Sequence, residues 1–144
     1  MKCDEAVRYF DAGYNCAQAV LAPFAQERGL EERTAHLLAS AFGGGMARTQ
    51  GTCGAVTGGL MALGLHRGFS EAVDPEGRAA ILEVGKRLVG DFVARFGTLS
   101  CRELLDCDLN TEEGRRKHQD ERQRELICRR CVEAAAEAVE GILG

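Results

Sequence analysis

Apolar residues recur at helical spacing through most of this chain, and no segment shows the alternation of a half-buried strand. The clearest case begins at Asp74-Pro75, a pair typical of a helix start, and ends at Gly97, a residue typical of a helix end. Between them one apolar stripe is formed by Ile81, Leu82, Val84, Leu88, Val89, Phe92, Val93 and Phe96. This segment is predicted to be a long helix.

The rest of the chain follows the same pattern. Further helices are predicted over residues 4–10, 31–41, 53–65, 100–105 and 126–143. Two more are predicted to begin at residues 15 and 111. Ala and Gly are abundant and Trp is absent, which favours closely packed helices over aromatic-rich strands. At 144 residues the chain suits one domain. We expect an all-α fold: a compact single-domain bundle of about five to seven helices spanning residues 1–144.

The charge of the chain limits its partners. A net charge of -4 gives no reason to expect nucleic acid or an anionic membrane as a partner. The N-terminus lacks the pattern of a signal peptide, and no apolar run is long enough to span a bilayer. We expect a cytoplasmic protein without membrane insertion, in a compartment where thiols are mostly reduced. The seven cysteines then indicate metal ligands or redox groups rather than structural disulfides.

Three cysteines stand at predicted helix starts, each directly after a residue that can cap the helix: Asn15-Cys16, Thr52-Cys53 and Ser100-Cys101. Gln18 and Glu103, three residues after the Asn and the Ser, complete two capping boxes, whereas the threonine is a weaker cap. A helix start carries free N–H groups and partial positive charge, which lower the pKa of a cysteine. Thiolates attack disulfides and bind metals, so these positions indicate redox or metal chemistry.

The other four cysteines are weaker candidates. Cys128, near the start of the last helix, is a fourth candidate, and Cys131 completes a Cys-x-x-Cys with it. This pair lacks the context of a thioredoxin site and the second pair of a zinc knuckle. Cys107 lies in a predicted loop and could resolve a mixed disulfide, and Cys3 is expected to be incidental.

Three other features are open to a simple structural interpretation. The glycine-rich stretch 43–51 lacks the Lys-Ser/Thr of a phosphate-binding loop and is expected to be a tight turn, with Arg48 able to offset thiolate or cluster charge. The histidines (His36, His66 and His118) are expected to face solvent or cap helices. The small residues between Gly54 and Ala62 suit a homodimer interface or, equally well, an intramolecular helix contact.

The chain resembles the C-GCAxxG-C-C family of small redox-active, cysteine-rich proteins. The resemblance is carried, in order along nearly the whole chain, by Tyr14-Asn15-Cys16-Ala17-Gln18-Ala19-Val20, Phe42-Gly43-Gly44-Gly45-Met46, Cys53-Gly54-Ala55-Val56-Thr57-Gly58-Gly59, Cys101-Arg102-Glu103-Leu104-Leu105 and Cys128 with Val132-Glu133. The resemblance implies a redox role. It also implies that the four recurrent cysteines are Cys16, Cys53, Cys101 and Cys128, with Cys107 an optional position and Cys3 and Cys131 extras. Cys128 is preferred to Cys131 because Val-Glu follows it at the family spacing.

A related domain occurs in split-Soret cytochromes, where it is associated with an iron–sulfur site. This chain has no Cys-x-x-Cys-His, so no haem is expected. The first hypothesis is an iron–sulfur cluster or another metal, ligated by at least three of Cys16, Cys53, Cys101 and Cys128. It is preferred slightly, because four dispersed cysteines would meet at one point, which a two-cysteine redox pair does not need.

Two alternatives remain. The first is a metal-free thiol–disulfide oxidoreductase, in which Cys53 attacks, beside a flexible glycine loop, and Cys16 or Cys101 resolves the mixed disulfide. The second is a structural zinc site or a helical interaction module. The sequence leaves open whether the protein is an enzyme, and it does not identify the redox partner.

Overall fold

The computed structural model describes all 144 residues and contains eight α-helices and no strand. The helices are α1 (Lys2–Asp11), α2 (Cys16–Ala25), α3 (Glu32–Ala39), α4 (Gly54–Arg67), α5 (Pro75–Phe96), α6 (Cys101–Leu105), α7 (Glu112–Asp120) and α8 (Arg129–Leu143). Short 3₁₀ turns follow α2 and α3, and a π-helical segment, Arg124–Cys128, leads into α8. The predicted all-α class is confirmed, although the helices number one more than the upper limit of seven. None of them is long and apolar enough to cross a membrane.

Helix α5 begins and ends where its sequence signals predict. The side chain of Asp74 accepts a hydrogen bond of 2.8 Å from the backbone N–H of Gly77, Pro75 occupies the first helical position, and Gly97 ends the helix with φ +82°. The buried stripe is narrower than the sequence predicts, because only Val84, Leu88 and Phe92 are buried, whereas Leu82 and Val93 are exposed. Helix α5 therefore packs on the outside of the bundle.

Helix α2 lies at the centre of the bundle. Eight of its ten residues are buried, and it contacts α1, α3, α4 and α8. A helix that is apolar all round is expected in such a position. Pro23 lies inside the helix, which continues to Ala25 before a 3₁₀ turn ends at Gly29 with φ +77°. The N-terminus of this buried helix carries Cys16.

The glycine face of α4 is buried within the chain. A Cβ atom on Gly58 would lie 2.5 Å from the carbonyl oxygen of Ala17, and one on Gly54 would lie 3.0 Å from the backbone nitrogen of the same residue. A Cβ atom on Gly59 would lie 2.8 Å from Leu88. Gly54 and Gly58 let α4 approach the backbone of α2 directly, and Gly59 leaves room for Leu88 of α5. The face is thus an intramolecular helix contact, and a homodimer, which stays a prediction, would need another surface.

Candidate functional site

Two loops bring the starts of α4 and α6 together. Thr52 and Ser100 form an isolated antiparallel bridge. On either side of it, the backbone N–H groups of Cys53 and Cys101 each donate a 2.7 Å hydrogen bond to the opposite loop. Cys53 itself occupies the N-cap position of α4, with no side-chain cap. The prediction that Thr52 caps this helix is therefore wrong, because that residue pairs with the other loop.

The capping box at the start of α2 is present in full. The side chain of Asn15 accepts a 2.8 Å hydrogen bond from the backbone N–H of Gln18, whose side chain accepts one of 3.0 Å from the backbone N–H of Asn15. The amide of Asn15 also donates to the carbonyl oxygen of Ser40, 3.2 Å away. These bonds fix the first turn of α2, and with it Cys16, against the end of α3.

The capping box predicted at the start of α6 is only half formed. The side chain of Ser100 accepts a 3.2 Å hydrogen bond from the backbone N–H of Glu103. The backbone N–H of Ser100 donates instead to the hydroxyl of Thr98, 3.0 Å away, so the Glu103 side chain has no free donor to cap. Cys101 is nevertheless the first residue of α6, as predicted.

Five cysteine side chains line one cavity of about 120 Å³. They are Cys16, Cys53, Cys101 and Cys128, which the sequence singled out, and Cys131, which it set aside as an extra. Apolar side chains form most of the remaining wall: Phe10, Leu104, Leu105, Leu109 and Ile127. Two groups in the wall can carry positive charge, Arg124 and His118. Side chains that are far apart in sequence thus share a confined, largely apolar space.

The other two cysteines lie outside this cavity. Cys3 is buried in the core through α1. Cys107 is buried, and its thiol donates to the side-chain oxygen of Gln123, 3.5 Å away. The same glutamine donates to the carbonyl oxygen of Leu105 at 2.7 Å. Every cysteine of the chain is a free thiol.

The segment before α8 determines how the last two cysteines are presented. Cys128 is the final residue of the π-helical segment, and Cys131 lies in the first turn of α8. Residues three apart on a helix share a face, so both thiols reach the same cavity. That spacing was the signal in the sequence that could have placed Cys131 in the site. Single π-helical turns inside helices are common at functional sites.

Two of the five thiols have a lowered pKa. The neighbouring thiols of Cys131 and Cys16 hold the pKa of Cys53 well below its usual value, and the backbone N–H groups at the start of α4 act in the same direction, against desolvation. The pKa of Cys128 is lowered by the thiol of Cys16 and, to a smaller extent, by the charge of Arg124. Negative charge is therefore favoured at these two positions.

The other three thiols of the cavity are held protonated. Burial raises the pKa of Cys101 to about 12. The thiols of Cys128 and Cys53 raise the pKa of Cys16 well above its usual value, and the thiol of Cys53 raises that of Cys131. The prediction that a helix start lowers the pKa is thus wrong for Cys16 and Cys101. At these sites, neighbouring thiols and burial outweigh the helix end.

The glycine-rich stretch is a tight turn, as expected, but of an unusual kind. Five consecutive residues, Gly44 to Arg48, have φ between 51° and 70°. A left-handed run of this length costs free energy at each non-glycine residue. The backbone N–H groups of residues 46–51 all donate to carbonyl oxygens of residues 41–46, so the turn is held by its own backbone hydrogen bonds. A Cβ atom on Gly45 would lie 2.7 Å from the backbone nitrogen of Gly51.

Two of the three histidines are placed differently from the prediction, whereas His66 meets a carbonyl oxygen in the last turn of α2, as a capping residue would. His36 is buried, and its ring stacks on that of Tyr14 with centroids 3.8 Å apart. His66 lies with its Nε2 atom 2.9 Å from the carbonyl oxygen of Phe24. His118 lines the cysteine cavity, with its Nδ1 atom 2.9 Å from the side-chain oxygen of Gln123. Only His118 lines the same cavity as the thiols.

The donors around the cavity have the chemistry of a metal–sulfur site. Iron–sulfur clusters are held by cysteine thiolates, usually four, and five thiols line this space. No three His, Cys, Asp or Glu side chains are arranged to hold a metal ion. The thiols of Cys16, Cys53, Cys128 and Cys131 lie close enough to shift one another's pKa. A donor set made only of thiols fits an iron–sulfur group.

The fold and the cavity together define an all-α protein with a buried site of five cysteines. Residues 14–142 match the family model described as "Putative redox-active protein (C_GCAxxG_C_C)", so the chain belongs to the C_GCAxxG_C_C family. No curated protein and no solved structure matches the chain significantly.

Proposed function

We propose that the cysteine cavity is an electron-transfer site that holds an iron–sulfur cluster, or another metal group, through Cys16, Cys53, Cys101 and Cys128. The observation that carries the proposal is the meeting of these cysteines, from four separate parts of the chain, at one buried cavity. A reversible two-cysteine disulfide needs only two of them. When bound, the metal group would supply one-electron redox chemistry.

The redox description of the family favours a cluster over a single zinc ion. A donor set made only of thiols is common to iron–sulfur clusters and structural zinc sites. No three potential ligands of this chain are arranged to hold a metal ion, and this finding bears on both metals alike. Zinc has no redox chemistry, so a redox role at a metal requires the iron–sulfur group.

The groups around the cavity supply what a buried anionic cluster needs. Backbone N–H groups at the start of α4 point to Cys53, and the charge of Arg124 acts on Cys128. Hydrogen bonds to sulfur and nearby positive charge raise the reduction potential of such a site. The apolar wall formed by Phe10, Leu105 and Ile127 limits the access of water. The N–H groups of α4 and the charge of Arg124 would stabilise the reduced, more negative state.

A thiol–disulfide oxidoreductase is the second candidate. It is favoured by the lowered pKa of Cys53 and by the neighbouring thiols of Cys16 and Cys131. The Cys53 thiolate would attack a substrate disulfide, forming a mixed disulfide and releasing one substrate thiol after it takes up a proton. Cys16 or Cys131, deprotonated, would then attack the Cys53 sulfur. That step releases the second substrate thiol and leaves a disulfide in the protein, so the two electrons pass to the substrate.

The experiment that separates the candidates is an iron, sulfide and zinc analysis with a visible spectrum on protein purified without oxygen. We expect iron and sulfide in stoichiometric amounts and broad visible absorption, both lost in Cys16→Ser and Cys53→Ser. The matched control is Cys3→Ser, a buried cysteine outside the cavity, which should keep the metal. A colourless, iron-free protein after reconstitution with iron and sulfide would overturn the cluster proposal. Iron bound equally well by all variants would do the same.

A further inference from the structure

A second concave surface lies beside the cysteine cavity and is lined mainly by arginines. This arginine groove has a volume of about 470 Å³ and carries Arg48, Arg115, Arg122 and Arg124, with Glu125 as its one acidic residue. Four guanidinium groups against one carboxylate leave an excess of three positive charges. The whole chain has a net charge of -4, so this surface is opposite in sign to the protein that bears it. Its volume is typical of small-molecule sites.

The positive charge of the groove is only partly neutralised within the chain. Arg122 forms an ion pair with Glu125, and Arg115 donates to the carbonyl oxygen of Leu109 at 3.2 Å. The guanidinium of Arg48 makes no hydrogen bond and no ion pair, although it faces this concave surface. Guanidinium groups pair in a two-pronged manner with carboxylate and phosphate. A groove with this composition is suited to an anion.

The arginine groove and the cysteine cavity adjoin each other. Leu109, His118 and Arg124 line both spaces. The left-handed turn joins them as well, because Gly44 lines the cavity and Arg48, at the other end of the turn, lines the groove. Strained backbone of this kind persists where the surrounding structure fixes it and is concentrated at functional sites. The turn thus holds an unpaired cation in the groove that adjoins the thiol cavity.

We propose that the arginine groove binds the carboxylate or phosphate group of a small molecule and holds the rest of that molecule beside the thiols. Binding of the anion follows from the groove alone, whereas a role for this molecule at the thiols rests on the function proposed above. The anionic group lies on Arg48 and Arg115, and the rest of the molecule extends past His118 toward the thiols. The ligand is therefore an anionic small molecule rather than a neutral one.

The first test measures binding of pyrophosphate and of citrate to the reduced, metal-free protein by titration calorimetry. The two probes distinguish phosphate from carboxylate. We expect saturable binding of at least one of them, weakened roughly tenfold in Arg48→Gln, because a charge-assisted hydrogen bond is lost. The matched control is Arg87→Gln, an exposed arginine on α5 outside both spaces, which should leave the affinity unchanged. Absence of saturable binding, or equal affinity in the two variants, overturns the proposal.

The second test asks whether the groove leads to the thiols. Alkylation of the cavity cysteines is compared for iodoacetate, an anion, and iodoacetamide, its neutral counterpart. We expect the rate for iodoacetate, relative to that for iodoacetamide, to fall in Arg48→Gln but not in Arg87→Gln. The ligand found by calorimetry should protect the thiols from both reagents. An unchanged ratio would place the groove off the route to the cysteines and overturn the proposal. Both tests use metal-free protein, so a failure to find iron leaves their outcome unaffected.

Discussion

The guanidinium of Arg124 lies over the ring of Phe10, with its central carbon 3.8 Å from the ring centroid. The same group donates to the backbone carbonyl oxygens of Phe10 and Tyr14, the second at 3.0 Å. A cation held by a ring face and two carbonyl groups has little freedom to move. The positive charge at the wall of the cysteine cavity is thus fixed in position, whatever the state of the thiols.

Replacing Arg124 by methionine should raise the pKa of Cys128, because the positive charge favours its thiolate. The shift should be partial, since the thiol of Cys16 is the larger cause of the lowered pKa. The measurement is the pH dependence of Cys128 alkylation in reduced, metal-free protein, followed by mass spectrometry. The control is Arg95→Met, which removes an exposed arginine of α5 that pairs with Glu137. An unchanged midpoint in Arg124→Met would contradict the prediction.

The stability of the metal-free protein should fall in alkaline solution, partly because of Cys101. Its pKa is raised to about 12 by burial, so the unfolded chain loses this proton at a lower pH than the folded protein. The contribution of Cys101 is complete below the ordinary cysteine pKa of about 8.5 and is lost as pH rises toward about 12. The slope approaches about 1.4 kcal/mol per pH unit in that window.

This effect can be measured by chemical denaturation of reduced protein at a series of pH values. Cys101→Ala removes one titrating thiol. Its free energy of unfolding should therefore fall less steeply with rising pH than that of the unchanged protein. Cys101→Ser, which removes the same thiol with a smaller loss of packing volume, should show the same reduced slope as Cys101→Ala. If Cys101→Ala keeps the full slope, the thiol does not titrate as its burial indicates.

Gly58→Ala should destabilise the fold by about 1–3 kcal/mol through overpacking. The added methyl group would lie 2.5 Å from the carbonyl oxygen of Ala17, in the core contact between α2 and α4. Gly64→Ala, on the same helix, has nothing within 4 Å of the added Cβ and should be neutral or stabilising by up to about 1 kcal/mol. Equilibrium denaturation of both variants gives the comparison. Equal stabilities would show that the two helices do not approach so closely.

Gln123→Ala should destabilise the protein by about 1–3 kcal/mol, because it leaves buried partners unsatisfied. Gln123 is only 2% exposed, and its amide bonds to the carbonyl oxygen of Leu105 and lies against His118 and the thiol of Cys107. The variant should also make Cys107 more accessible to alkylation. The exposed Gln119, replaced by alanine, is the control and should change neither quantity. A stability within about 0.5 kcal/mol of the control would contradict this account.

Most helices could be predicted because capping side chains and glycines close to them in sequence determine where they begin and end. Asn15 and Asp74 cap α2 and α5 through their own side chains, and Gly97 ends α5 with a positive φ. The convergence of Cys16, Cys53, Cys101 and Cys128 on one cavity was also anticipated, from their helix starts and from the family resemblance. These signals lie in short stretches of sequence, so they can be recognised without knowledge of the tertiary structure.

The features that were missed depend on contacts between distant parts of the chain. Thr52 looks like a helix cap until its pairing with Ser100 is known. His118 stands in a charged stretch, and only its packing brings it to the cavity. The left-handed turn contradicts the local preference of Met46, Ala47 and Arg48, so no local rule could predict it. Cys131 was set aside because the family spacing selects one cysteine of the pair, although helical spacing puts both on one face.

The wall of the cysteine cavity extends from Phe10 in the first helix to Cys131 in the last. During synthesis the N-terminal part of this wall leaves the ribosome first, and it stays open until the π-helical segment and α8 have followed. Any group that needs thiols from both α2 and α8 can be inserted only after α8 has been synthesised. Maturation of such a site therefore waits for the helix that carries Cys131.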